Sequence, residues 1–91
     1  MKASEVLATA SSIVTGDRNH QHGSPERSFE QIAGFWSQYL GIPVSPVDVC
    51  QMMVLLKIVR SKCGSPIDDH FIDAAGYSAL AAEMVDNGKS S

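Results

Sequence analysis

Little in this sequence points toward a general class of partner. Cysteine is scarce: Cys50 and Cys63 are the only two in 91 residues, and neither lies in a CxxC pair or another zinc spacing. That excludes a disulfide framework and a cysteine-built zinc module, and both residues read as reduced thiols, Cys50 as a small core residue. Basic residues are also few, seven Lys and Arg against ten Asp and Glu, a formal net charge of -3. An excess of cations, which a general nucleic-acid surface needs, is missing. No apolar leader and no run of membrane-spanning length is present. The expectation is a soluble, cytoplasmic protein with no membrane partner. Strand-like alternation, internal repeats and low-complexity tracts are absent too.

What is present is helical. Val6, Leu7, Ala10, Ile13 and Val14 recur at helical spacing, predicting a first helix over about 4–14. A polar segment over 16–24 follows, without periodicity. Three later helix starts repeat one device: Ser24-Pro25, Ser45-Pro46 and Ser65-Pro66. Serine can cap, and proline suits the first helical position, where its missing N–H costs nothing. Asp48 and Asp68, three residues after their serines, can each complete a capping box. The expected helices are about 25–40, 46–62 and 66–85, with Trp36 and Tyr39 as core or interface aromatics. For the last helix, Ile67, Phe71, Ala74, Ala75, Ala82 and Val85 form the expected core face. Short connections favour a compact all-α four-helix bundle, one domain over 1–91. The third helix is apolar on nearly every side, so homo-oligomerisation is expected to complete its cover.

The charges that interrupt these apolar helices are the candidate site. Burying a charge is costly unless it is paired, so Lys57, Arg60, Asp69 and Asp73 need partners. Asp69 and Asp73 share a helix face and repel unless a cation lies between them. That cation can be Lys57 or Arg60 in an internal network, or Mg²⁺ with substrate phosphates completing its shell. Asp48 divides between capping and a metal role. Arg18, in the polar segment beside Gly16 and Gly23, suits phosphate contact. The candidate set is therefore Arg18, Lys57, Arg60 and Tyr77 for a phosphorylated ligand, and Asp48, Asp69 and Asp73 for metal. No catalytic residue is assigned.

Gly16-Asp17-Arg18, Gly23-x-Pro25, Ile32-Ala33-x-x-Trp36, Asp48-Val49, Met53, Leu56-Lys57, Arg60 and Asp69-x-x-x-Asp73-x-x-Gly76-Tyr77 together resemble a family of small phage and prophage proteins, loosely described as MazG-like. The resemblance covers nearly the whole chain. It implies a helical bundle that assembles as dimers or larger oligomers, with ExxE and ExxD motifs holding Mg²⁺ and basic residues binding a nucleoside triphosphate. This chain departs from those motifs. Asp48-x-x-Gln51 stands where ExxE would be, one carboxylate short, and Asp69 or His70 with Asp73 stands for ExxD; Glu30 can add a carboxylate. With its cations intact, the resemblance implies nucleotide binding, including sequestration of a host immune signal. The alternatives are Mg²⁺-dependent NTP pyrophosphohydrolysis and a non-catalytic protein that docks on a host protein.

Overall fold

The computed structural model describes residues 1–16 and 24–90. It is all-α among those residues: α1 Ala3–Thr15, α2 Pro25–Leu40, α3 Pro46–Cys63 and α4 Asp68–Asp86. Serine capping sets two of the starts. Ser24 Oγ accepts from the Arg27 N–H at 3.2 Å. At α3 the capping box is complete: Ser45 N–H donates to Asp48 Oδ2 at 2.9 Å, and Asp48 N–H donates to Ser45 Oγ at 3.0 Å. Gly41 ends α2 in a left-handed conformation, φ 72°, and its N–H donates to the Ser37 carbonyl. A side chain there would be strained. Ser37 also ties down the following turn, its hydroxyl accepting from Val44 N–H at 2.8 Å and donating to the Val44 carbonyl at 3.2 Å.

The third Ser-Pro pair does not cap. α4 starts at Asp68, its N-cap is Ile67, and no side chain caps it. The four residues from Gly64 to Ile67 are the whole connection and are used in reversing the chain, with Ile67 N–H bonded to the Ser65 carbonyl. Asp68 instead faces the terminal ammonium of Met1 at 3.5 Å. Replacing Ser45 with alanine should therefore cost about 1–2 kcal/mol. That lowers the melting temperature by roughly 4–8 °C per kcal/mol. Ser65→Ala should leave it unchanged, and parallel melting curves check the contrast.

Lys57 and Asp73, each eight residues from Ser65, form an ion pair, the register of an antiparallel hairpin of α3 and α4. α1 packs on α4, and α2 packs mainly on α3. The core is small: Phe29, Ala33, Val49, Cys50, Ala81 and Met84, flanked by half-buried Ile32, Trp36, Val44, Val47, Tyr77 and Leu80. Val49 and Cys50 are the largest side chains above 98% buried among the described residues.

The face that α4 turns inward differs from the expected one. Ile72, Gly76, Ala81 and Met84 are buried, whereas Ile67, Phe71, Ala82 and Val85 are exposed. α1 packs against α4 on the small-residue side, meeting it at Gly76, where a Cβ would stand in ordinary contact with Val14 Cγ1 at 3.4 Å. Asp73, Tyr77 and Leu80 lie partly inward on that side. No helix among the described residues is long and apolar enough to cross a membrane.

Candidate functional site

The structure gives structural work to several of the charges singled out by the sequence. Lys57 Nζ lies 2.9 Å from Asp73 Oδ2, with the lysine side chain 12% exposed and the aspartate 30%. One turn nearer the α3–α4 connection, Arg60 and Asp69 are exposed and make no ion pair among the described residues. The internal network thus joins one cation to one acid. Asp48 spends Oδ2 on the α3 cap. Tyr77 meets Phe29 edge-on, with ring centroids 6.1 Å apart and planes at 66°. It stands among the residues flanking the core. Arg18 lies outside the described residues.

Asp48, Asp69 and Asp73 do not make a metal site together. No group of three His, Cys, Asp or Glu able to hold a metal occurs among the described residues. Asp48 is engaged at the start of α3, Asp73 is claimed by Lys57, and Asp69 is a full turn from Asp73 toward the connection. Cys50 is a core thiol, pushed up to about 11 by burial, and so stays protonated and inert near neutral pH. Cys63 is exposed.

A concave feature among the described residues lies elsewhere, where three helices meet. Val14 and Thr15 end α1, Ser24 through Arg27 begin α2, and Leu80, Glu83 and Met84 come from α4; together with Glu30 they line a cleft of about 610 Å³. Its lining is mixed, with apolar Val14, Pro25, Leu80 and Met84 beside charged Glu26, Arg27, Glu30 and Glu83. Lys89 pairs with two of the lining acids. Its ammonium is 3.1 Å from Glu30 and 3.8 Å from Glu26. The Glu30 hydrogen bond and charge, with Glu26 adding to them, hold its pKa above that of an ordinary lysine. Asn87 also donates to Glu26, at 3.0 Å. Both latches follow from the end of α4, where Lys89 N–H returns to the Met84 carbonyl.

Sequence reasoning weighed Glu30 but missed Glu26, Arg27, Leu80 and Glu83 as a group. The Ser24-Pro25 start places Glu26, Arg27 and Glu30 in the opening turns of α2. Nothing in the local pattern says that those turns face α4 across the end of α1.

A four-helix fold with a cleft where three helix ends meet defines a small all-α domain. Within that class, residues 5–85 match the model of the "Domain of unknown function (DUF6378)", and the chain belongs to that family. It is similar to the "Gene 55 protein" of Mycobacterium phage D29, 37% identical over 79 residues, covering 87% of this chain and 52% of that protein. The "Gene 55 protein" of Mycobacterium phage L5 is 36% identical over 80 residues, covering 87% and 51%. The chain spans about half the length of these curated relatives. No solved structure matches it.

Proposed function

We propose that this phage-type protein binds a nucleotide or a nucleotide-derived phosphorylated ligand in the cleft between α1, α2 and α4, and holds it without cleaving it. The observation that carries this reading is the cleft: about 610 Å³ falls within the size range of small-molecule pockets. Its chemistry also suits such a ligand. Val14, Leu80 and Met84 offer an apolar surface to a base or sugar face. Arg27 supplies a fork of donors for a phosphate. Glu83 can accept hydrogen bonds from a base amino group or a ribose hydroxyl. In the cell such a protein would act by sequestration, lowering the free concentration of a nucleotide signal.

Hydrolysis of the MazG-like kind needs converging carboxylates to hold metal against phosphate, whereas Asp48 is engaged in capping and Asp73 in an ion pair. Phe35 and Tyr39, 76% and 91% exposed on α2, favour a second reading, a protein that docks on a host protein through that helix.

The test is a melting screen of the purified protein against NTPs, dNTPs and cyclic nucleotides, with and without Mg²⁺. A ligand at about 100 times its Kd adds about 2.7 kcal/mol of stability, a shift of roughly 10 °C or more for a domain of this size. The ligand should be recovered intact. Arg27→Ala should abolish the shift, and Arg60→Ala should retain it. Pyrophosphate release would establish the hydrolase instead, and no shift across the panel would favour docking.

A further inference from the structure

α3 is apolar on more sides than its own fold covers. Its inward side carries Val49 and Cys50, with Met53, Val54 and Lys57 half-buried. Its outward side carries Met52, Leu55, Leu56, Ile58 and Val59, 38% to 61% exposed. A helix that is hydrophobic all round belongs in an interior. Among the described residues, no other element covers this outward side, because α2 and α4 pack against the inward one.

The charges on that side have a particular symmetry. Asp48 is exposed at the start of the helix and Lys62 is exposed near its end. Leu55 lies seven residues from each, midway, and at 61% it is the most exposed large apolar residue of α3. In a two-fold interface residue i meets residue j while j meets i. An axis through Leu55 therefore sets Leu55 on its own counterpart and Met52 on Ile58 of the second copy. It also sets Asp48 against Lys62 of the second copy, at both ends. The charged ends are fourteen residues apart, about 21 Å at 1.5 Å per residue, which suits an antiparallel helix pair. Asp48 has an oxygen to spare for this contact, because the cap uses only Oδ2.

We infer that a second copy of this chain docks on the outward face of α3, antiparallel about a two-fold axis at Leu55, with Asp48–Lys62 pairs closing the two ends. Self-complementarity is what selects a second copy over a foreign helix. An unrelated partner would require no opposite charges at equal distances from one central leucine. This interface is separate from the cleft, and neither depends on the other.

Sedimentation across a concentration series tests it. The wild-type chain should sediment as a dimer at micromolar concentration. Leu55→Glu puts two carboxylates on the axis and should raise the dimer dissociation constant about 30-fold or more, as loss of an interface hot spot does. Its helical circular dichroism should be retained, since residue 55 faces solvent within one copy. Lys62→Glu should weaken the dimer by a few-fold, and high salt should weaken the wild type in the same direction. Leu55→Cys in a Cys63→Ser background should cross-link to its own counterpart under mild oxidation, whereas Gln38→Cys in the same background should not. A monomeric wild type, a dimer indifferent to Leu55→Glu, or equal cross-linking at both cysteines would overturn the inference.

Discussion

Phe29→Ala is expected to destabilise the fold by about 3–5 kcal/mol, the usual cost of removing a buried phenylalanine ring. Phe29 is 8% exposed and forms part of the core with Ala33, Val49, Cys50, Ala81 and Met84. Its ring is also the one that Tyr77 meets edge-on, an arrangement worth roughly 0.5–1.5 kcal/mol beyond the buried area. At 0.05–0.15 kcal/mol per residue, a chain of this length has roughly 5–14 kcal/mol in total. Loss of one ring therefore removes roughly a fifth or more of it, because the core has few other large members to share the load. Phe35→Ala is the matched control. The same ring on the same helix is 76% exposed, so its loss should change monomer stability by no more than about 0.5 kcal/mol. Urea unfolding of both variants gives the comparison. Equal destabilisation would mean that α2 does not present Phe29 to the core. Tyr77→Phe extends the test: it keeps the ring contact and removes the hydroxyl. Unchanged stability together with unchanged ligand response would place Tyr77 in the core and outside any binding role.

The same residues show how much the sequence disclosed. Helix limits were legible at Ser24-Pro25 and Ser45-Pro46 because capping is local chemistry, settled within one turn. At Ser65-Pro66 the same letters failed, since the connection between α3 and α4 left no residues for a cap beyond the reversal itself. The inward face of α4 was misread for a different reason. Phe71 and Val85 are larger and more apolar than Gly76 and Ala81, so periodicity ranks their side as core. Contact with α1 favours the opposite side, where Val14 meets α4 at Gly76. Burial by a neighbour depends on what the neighbour can fit against, and that is not written in one helix. The candidate site divides in the same way. Opposed charges on consecutive helices pointed to Lys57 and Asp73, and that pairing is present. The cleft joins the α1–α2 junction to residues near the end of α4, more than forty positions away in sequence, so no motif spacing announces it.

Lys57 and Asp73 allow the sharpest separation of structural from ligand roles. Their side chains are mostly shielded, at 12% and 30% exposure, so the pair is neither a surface bridge worth a few tenths nor a fully desolvated one. Lys57→Ala should cost roughly 1–3 kcal/mol, between those limits, because it leaves the Asp73 carboxylate half-buried without its cation. Asp73→Ala should cost a similar amount by orphaning the ammonium. Lys57→Met with Asp73→Leu should recover most of the loss, since an apolar pair of similar volume needs no desolvation of charge. Wild type, the two alanine variants and the double alanine variant make a thermodynamic cycle whose coupling energy should be roughly 1 kcal/mol or more, as for groups in direct contact. A ligand role for Lys57 predicts the reverse pattern. The single variant would then fold as well as the wild type while nucleotide-induced stabilisation disappeared, and the apolar double variant would not restore it. Strong coupling with a retained ligand response would assign this pair to holding α4 against α3, the register that keeps Leu80, Glu83 and Met84 at the wall of the cleft.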